Sequence, residues 1–374
     1  MMNTMIKAFS NEMNPEIALS AIRDQLKSTN IQDHIILFIS SEYDLVEIEK
    51  LIPIIFETSN VHATTTAGEI YDGHFYEKSI AGILLKKSNQ FDFCSLNIED
   101  LNADIESEIK SFKETASYCE KILSKTLGLL FIDGLSKKEE MLMSILGSNF
   151  PTLPIIGGSA GDALHFRETK ILINGKFKSN AAQVFFISTD LNFEIIKLQN
   201  YKAGDESFVV TDSDQKYRVV KEIEGEVAAE FYANQIGVKS SELNSEHFSL
   251  HPIIVTIGGH DYARSIQSIG KNGELQMYCA IETGMIISLG KTGGMIKSLD
   301  SIRQKYLSKS HTEIFTVFFE CILRRLEILS MSEEEQDQIY KIYSELNAIG
   351  YHTYGEQINS LHINQTLTGV IFYE

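Results

Sequence analysis

The residues best placed to do chemistry lie in three short polar turns, each of which follows an apolar run. Each turn has a hydroxyl residue, then one small or aromatic residue, then glycine and a carboxylate, at residues 66–69, 159–162 and 353–356. Ligands of open α/β sheets bind beyond the carboxyl ends of the strands, where such turns lie. Because glycine lets backbone N–H groups approach a ligand closely, the three turns predict a site for a small polar molecule.

Arg264 is the cation that we single out, because it follows a strand and a glycine pair in an acidic protein. An arginine fork binds a carboxylate through two parallel hydrogen bonds. A salt bridge between domains, for example to Glu282, is the alternative role. Asp162 or Glu356 would hold an ammonium group, whereas Glu69 and Glu356 could instead accept hydrogen bonds from the N–H groups of their own turns.

These features together predict a ligand cleft, and an amino acid is the ligand that they suit. The arginine would bind its carboxylate, one acidic side chain would bind its ammonium group, and the glycine-rich backbone would donate further hydrogen bonds. The predicted ligand-binding residues are Thr66, Gly68, Glu69, Gly157, Gly158, Ser159, Gly161, Asp162, Arg264, Tyr354, Gly355, Glu356 and Asn364.

Composition limits the other functions. The 374 residues carry 51 acidic and 33 basic side chains, for a formal net charge of −18. Such a field opposes binding to nucleic acids and anionic membranes. The one long uncharged run, residues 141–161, is broken by two prolines and does not predict a membrane span.

The chain offers no complete catalytic pattern. Residues 157–161 match G-x-S-x-G, but Ser159 has no identifiable base in the sequence, and no H-E-x-x-H pair is present. An enzyme that uses paired carboxylates is therefore an alternative without a nameable nucleophile. The cysteines Cys94, Cys119, Cys279 and Cys321 are scattered, which argues against a disulfide framework and favours a reduced, cytoplasmic location.

A strand–helix–strand pattern positions the three turns, and it occurs three times. The first strands begin near His34, Gly128 and Glu313, and each unit ends in an added apolar strand. Units of this length form right-handed crossovers with parallel pairing. We expect an α/β fold of two related lobes, with antiparallel additions and mixed sheets covered by helices. The predicted domains are residues 1–220 and 221–374.

These motifs, in this order, resemble the FIST family, whose members combine a FIST_N and a FIST_C half. The resemblance is carried by residues 64–70, 128–136 and 155–162 in the first half. It is carried by residues 263–265, 355–357 and 361–369 in the second half, and it covers nearly the whole chain.

The resemblance implies a sensory, ligand-binding module of signal transduction. Because the chain has no residues left for an output domain, we expect output through a separate signalling protein, such as a histidine kinase, or through oligomerisation. No cofactor is expected from the residues themselves. A related branch resembles haem-binding nitric oxide sensors, so haem is an alternative, although no residue here matches a haem ligand of that branch.

Overall fold

The computed structural model describes residues 4–27, 30–56, 60–88, 90–115, 125–307 and 313–373. Their strands form three six-stranded sheets and one nine-stranded sheet. The sheets are mixed and helices cover them, which confirms the α/β fold class.

The elements follow a repeated order along the chain. The first unit consists of β1 (Met5–Ser10), α1 (Pro15–Leu26), β2 (His34–Ser40), α2 (Leu45–Ile55), β3 (Val61–Thr66), β4 (Glu69–Tyr71), β5 (His74–Tyr76) and β6 (Ile80–Leu85). The second unit consists of β7 (Phe91–Ile98), α3 (Ile105–Thr115), β8 (Thr126–Ile132), α4 (Glu139–Asn149), β9 (Ile155–Ser159), β10 (Ile171–Ile173), β11 (Lys176–Lys178) and β12 (Ala182–Thr189).

A third unit has the same order but is interrupted after its first strand, β13 (Asn192–Gln199). The insertion, residues 200–294, contains β14 (Tyr201–Ala203), β15 (Phe208–Asp214), β16 (Val219–Ile223), β17 (Glu226–Val227), α5 (Ala228–Ile236), α6 (Ser245–Leu250), β18 (Ile253–Ile257), β19 (His260–Arg264), β20 (Ile266–Ile269), β21 (Leu275–Met277) and β22 (Ile286–Thr292). A single 3-10 turn, Ser240–Glu242, precedes α6. The third unit resumes with α7 (Met295–Leu307), β23 (Ile314–Cys321), α8 (Ile322–Leu329), α9 (Glu333–Glu345), β24 (Ala348–Thr353), β25 (Glu356–Ile358), β26 (Leu361–Ile363) and β27 (Thr366–Tyr373).

The pairing within each unit follows the sequence prediction. The strands of the crossover, β2 with β3, β8 with β9 and β23 with β24, are parallel. The added strands β6, β12 and β27 pair antiparallel with the first strand of the crossover. Nearly every residue of these central strands is buried, because helices cover one face and the other units cover the second.

Hairpin exchange links the three units into a closed ring. The hairpin β4–β5 of the first unit extends the third sheet beside β24. The hairpin β10–β11 of the second unit extends the first sheet beside β3, and β25–β26 of the third extends the second sheet beside β9. Each turn that was predicted to bind a ligand therefore leads into a neighbouring sheet.

The hydrophobic cores match this arrangement. The inner cluster takes Phe38, Phe131 and Phe319 from the three central strands, and their rings meet at centroid distances of 6.3 Å and 6.4 Å. Separate outer clusters join each sheet to its own helices, and another fills the insertion. The three units thus share one interior, whereas the insertion has its own core.

Capping side chains mark three of the helix starts. Asn14 caps α1 with Pro15 at its first position, Asp44 caps α2, and Ser332 with Glu335 forms a capping box at α9. Ser136 and Glu139 have the spacing of a capping box but do not form one at α4. Lys138 precedes α4, and the Ser136 hydroxyl donates instead to the carbonyl of Asp133.

The cysteines differ from the expectation in one respect. Cys94 is disulfide-bonded, although the spacing of the cysteines argued against such bonds. Cys279 and Cys321 are buried free thiols. Cys119 lies outside the described residues.

The predicted boundary near residue 220 falls inside the insertion. β13 precedes the insertion, and it pairs along its whole length with β27 at the end of the chain. The third sheet is therefore built from both sides of that boundary, so the two parts of the chain share backbone hydrogen bonds.

Candidate functional site

The turn of the first unit closes on its own carboxylate. Glu69 is fully buried and accepts hydrogen bonds from the hydroxyls of Thr66 and Ser79. Gly68, which lies between Thr66 and Glu69 in the turn, has a φ of +125°, and an added Cβ would lie 2.6 Å from the guanidinium of Arg325. The glycine is therefore required by the turn itself, and the carboxylate already has its partners.

The turn of the third unit repeats this arrangement. Glu356 is fully buried and accepts from the hydroxyl of Thr353. Its other oxygen accepts from the N–H of Thr366 at 3.1 Å and from the hydroxyl of that residue at 2.5 Å. A Cβ on Gly355 would lie 2.3 Å from the ring of His362. Both glutamates have the hydrogen-bond acceptor role that the sequence analysis left open, with hydroxyls as the main donors.

Burial controls the protonation of both glutamates. It raises the pKa of Glu69 to about 8 and the pKa of Glu356 to about 7, although the surrounding hydroxyls oppose the shift. Because the unfolded value is near 4.5, the folded protein binds more protons than the unfolded chain between about pH 4.5 and pH 8. The free energy of unfolding should therefore fall as the pH rises through this range.

We expect glutamine at positions 69 and 356 to weaken the dependence of the free energy of unfolding on pH, because an amide resembles the protonated acid and does not titrate. The double variant Glu69→Gln/Glu356→Gln should lose less stability than the wild type between pH 5 and pH 8, with a gap that widens as the pH rises. Urea unfolding at three pH values measures it. The exposed Glu16→Gln is the control, and equal slopes for the double variant and the wild type would refute the assignment.

The carboxylate of the second turn has other partners. Asp162 is buried and accepts hydrogen bonds from the backbone N–H groups of Phe166, Arg167 and Glu168, at 2.9, 2.6 and 3.0 Å. The Tyr354 hydroxyl also donates to it. Three amides and a phenol satisfy this carboxylate, so Asp162 orders the loop that follows it.

The glycines of the second turn allow close packing of backbones. A Cβ on Gly157 would lie 1.9 Å from the carbonyl oxygen of Leu130, and one on Gly158 would lie 2.3 Å from Thr353. A Cβ on Gly161 would meet Ala67 at 2.7 Å. Gly157 lets β9 approach β8 within the second unit, whereas Gly158 and Gly161 let the second unit pack against the third and the first, so all three have a packing role.

Arg264, Asn364 and Ser159 meet near the hairpin β25–β26. Arg264 is half-buried, and its guanidinium donates to the carbonyl oxygen of His362 at 3.1 Å. Asn364 is buried and accepts from the N–H of Ser265 at 3.3 Å. The structure thus brings together residues that the sequence analysis selected from three separate stretches. Apart from Arg264, every predicted ligand-binding residue is buried.

Beside them lies a group that we call the junction cluster: Glu140, Cys279 and His362 with Gln357. One ligand atom from each of the first three lies within 4.8 Å of the others. Gln357 Nε2 lies 3.1 Å from His362 Nδ1 and donates to the Ser159 hydroxyl at 2.8 Å. The cluster joins α4 of the second unit, the hairpin of the third unit and the insertion.

Two carboxylates and one guanidinium set the charge of the junction cluster. Arg218 donates to Glu139 at 2.6 Å and also to Glu140, and Glu140 accepts from the N–H of Ala280 at 2.9 Å. Burial opposes the charged form of Glu140, but His362, Arg218 and the Ala280 N–H lower its pKa to about 2.

The pKa of His362 shifts in the opposite direction from that of Glu140. Burial favours its neutral ring, but Cys279, Glu139 and Glu140 outweigh burial and raise the pKa of His362 to about 9. The cluster is therefore a negatively charged pocket that holds a proton or another cation on the histidine side. The buried thiol beside it is shielded from large substrates.

A second candidate is an open cleft between the first and second sheets, which we call the polar cleft. It has a volume of about 420 Å³, within the range of small-molecule sites. Its lining consists of His34, Glu49, Ile52, Pro53, Asn60, Val61, His62, Ser95, Asn97, Leu172, Asn174, Gly175 and Gln183.

Hydrogen bonds run along the polar cleft in one direction. His62 Nδ1 lies 2.9 Å from Gln183 Oε1, and Gln183 Nε2 donates to Asn97 at 2.7 Å. Asn97 in turn donates to Asn174 at 3.3 Å. His34 Nδ1 lies 3.0 Å from His62 Nε2. Since the amide oxygen of Gln183 accepts, His62 carries its proton on Nδ1, and His34 donates to its other nitrogen.

Both histidines of the polar cleft are neutral near pH 7. Burial lowers the pKa of His34 to about 3 and that of His62 to about 4. The cleft therefore offers amides and uncharged rings, and Glu49 is the one charged side chain among its lining residues. That carboxylate accepts from the N–H of Phe177 at 2.6 Å and pairs with Lys176 at 2.9 Å.

The repeat provides an internal comparison for the polar cleft. The matching place in the second unit lies between the end of α4, the start of β9 and the turn of hairpin β25–β26. That cleft is smaller, about 230 Å³, and its lining includes Leu146, Phe150 and Leu153 but no histidine and no carboxylate. The histidine pair and the carboxylate of the polar cleft thus have no counterpart at the matching place of the second unit.

Neither the polar cleft nor the thiol of the junction cluster was predicted from the sequence. His362 is a single histidine without the spacing of a metal-binding pair. The spacing of Thr66 with Glu69, and of Thr353 with Glu356, did carry a local signal, because a hydroxyl three residues before a carboxylate can close a turn on it. The remaining contacts join residues that are distant in the sequence.

Comparison with known protein families decides the classification of the chain. The FIST N domain matches residues 33–226, and the FIST C domain matches residues 228–359. The chain belongs to the FIST family. The two matched regions meet at β17, and the third sheet of this FIST protein takes β13 from the first region and β23 and β24 from the second.

FIST domains are sensory domains of signal transduction, and this FIST protein shares that assignment. None of the curated proteins matches the chain. Among the described residues, no helix is both long and apolar enough to cross a membrane.

Proposed function

We propose that this FIST protein is a sensor that binds a small polar molecule, for which an amino acid is the best match, in the polar cleft. The observation that supports the proposal is the directed chain of hydrogen bonds along a cleft of about 420 Å³ between two sheets. Each amide group of that chain has two N–H donors, and the chain uses one of them.

The lining suits a zwitterion. Glu49 would accept the ammonium group, in exchange with its surface partner Lys176, which is largely exposed. The second N–H groups of Asn97 and Gln183 would donate to the carboxylate. The apolar residues Ile52 and Leu172 would contact a side chain, so a short amino acid fits the space.

A ligand in this position would contact both sheets. The cleft takes residues from β2 and β3 of the first sheet and from β7 and β12 of the second. A ligand shifts an equilibrium only by its difference in affinity for the two states. Binding would favour the arrangement in which the two sheets approach each other, and a separate signalling protein would detect that arrangement.

The strand-end location of the ligand stays a prediction. A ligand carboxylate at Arg264 would compete with the carbonyl of His362, and an ammonium group at Asp162 would displace backbone amides. Haem needs an apolar slot and an axial ligand. The polar cleft does not fit a haem face, because amides and a carboxylate line it, and both ring nitrogens of His62 are engaged.

Thermal unfolding in the presence of each of the twenty amino acids tests the proposal. A ligand at 100 times its Kd should add about 2.7 kcal/mol to the stability of the folded state. Asn97→Leu keeps the size of the side chain but removes its hydrogen bonds, so it should abolish the shift. Asn234→Leu, on the exposed face of α5, is the matched control and should keep it.

Two results would count against this site. The first is that no amino acid raises the melting temperature. The second is a shift that survives Asn97→Leu but disappears in Arg264→Ala, which would favour the strand-end turns instead.

A further inference from the structure

The junction cluster combines three metal-binding side chains that have no role in the proposed sensory function. We propose that Glu140, Cys279 and His362 form a binding site for a divalent transition metal, for which Zn²⁺ is the best match. A thiolate, an imidazole and a carboxylate are the three kinds of side chain that bind zinc in proteins. Their ligand atoms already lie within 4.8 Å of one another.

One ring nitrogen of His362 is buried without a hydrogen-bond partner. His362 is 3% exposed, and its Nε2 has no hydrogen-bond partner. A buried polar atom without a partner costs free energy, so it marks a place where a ligand belongs. The other ring nitrogen is held by Gln357, which fixes the orientation of the ring towards the cluster.

Gln357 also fits the role of a supporting partner. Its Oε1 is buried without a partner, while its Nε2 faces His362 Nδ1 at 3.1 Å. Rotation of the amide by 180° places Oε1 opposite Nδ1, which then carries the proton. That tautomer leaves the lone pair of Nε2 for a metal, and a hydrogen bond to the second nitrogen is the usual support of a ligating histidine.

The local charge favours a cation. Glu139 and Glu140 face a single guanidinium, Arg218, which leaves one negative charge in excess. A divalent ion bound by the Cys279 thiolate and the neutral ring of His362, in place of the proton that this ring otherwise holds, adds one positive charge to that excess. The sum of these charges is then zero, as expected for a buried group that must avoid an uncompensated charge.

The three ligand atoms must move slightly closer together to bind a metal ion. Zinc lies about 2.3 Å from sulfur and about 2.0–2.2 Å from nitrogen or oxygen, so tetrahedral ligands lie roughly 3.3–3.7 Å apart. The three donors would therefore approach one another by about 1 Å. Glu140 retains 34% exposure of its side chain, which gives water access to the fourth coordination position.

A metal at this place would connect three parts of the chain. Glu140 lies on α4 of the second unit, His362 on β26 of the third unit, and Cys279 in the insertion after β21. Metal binding would therefore hold the insertion against the three-sheet body. This role does not depend on the ligand of the polar cleft, so either proposal can fail alone.

Cobalt(II) is the probe for the test, because a thiolate bound to it gives a charge-transfer absorption in the near ultraviolet. The full chain, stripped with a chelator and titrated with Co²⁺, should show this band with one ion per chain, and Zn²⁺ should remove it. Cys279→Ser should abolish the band. The matched control Cys321→Ser changes the other buried free thiol and should keep it.

Glu140→Gln supplies a second variant on the half-exposed side of the cluster, with circular dichroism as the check of folding. We expect its affinity for Co²⁺ to fall at least about tenfold, while the band persists at saturation. The site is refuted by a wild-type chain without the band, by a band that survives Cys279→Ser, or by an unchanged affinity in a folded Glu140→Gln variant.

Discussion

Replacing Arg324 by methionine should destabilise the protein by about 3–5 kcal/mol, one of the largest effects that we expect from a single substitution. Arg324 is 1% exposed, and its Nε donates to the fully buried Glu320 at 2.8 Å. Glu320 also accepts from the Tyr343 hydroxyl at 2.7 Å. Without the guanidinium, the buried Glu320 would lose the cation that pairs with it directly and would keep the Tyr343 hydroxyl as a hydrogen-bond donor.

Two further variants test the cause. Glu320→Gln combined with Arg324→Met removes the unpaired charge, so the double variant should recover part of the loss. Arg303→Met is the surface control, since its partners Asp300 and Glu345 are about 30% exposed, and it should cost far less stability than Arg324→Met. Equal losses for Arg324→Met and Arg303→Met in urea unfolding would contradict the account.

Gly157→Ala should also destabilise strongly, by about 3 kcal/mol or more. The added Cβ would lie 1.9 Å from the carbonyl oxygen of Leu130, which belongs to the neighbouring strand and cannot rotate away. β9 would have to move from β8 and, with it, the hairpin that pairs on its other side. Backbone displacement in a packed sheet costs more than the adjustment of a side chain.

Gly175→Ala separates this clash from the general cost of replacing glycine. Gly175 has a φ of +75°, but its Cβ would meet nothing within 4 Å. It should therefore cost about 1–2 kcal/mol, from backbone conformation alone. A Gly157→Ala variant that is no less stable than Gly175→Ala would show that β8 and β9 can separate freely.

The central strands and most helix starts were predictable because their signals are local. Unbroken apolar runs such as residues 34–39 identify strands that are covered on both faces, and Asn14 followed by Pro15 marks a helix start. The hairpin exchange was not predictable in the same way. Its strands, such as β4 and β25, have three residues each, and their partners belong to other units.

The candidate sites show the same limit. The sequence located the strand-end turns, but their carboxylates are satisfied by groups such as Ser79 and Thr366, ten residues further on. Glu140, Cys279 and His362 come from three elements without a common spacing. The polar cleft likewise forms where two sheets meet, so no short sequence motif predicts it.

A crystal structure of the protein soaked with the amino acid that gives the largest thermal shift tests the central claim most directly. The account predicts density for that amino acid in the polar cleft, with its ammonium group at Glu49 and its carboxylate at Asn97 and Gln183. Density at Arg264 beside the strand-end turns, with the polar cleft filled only by water, would contradict it.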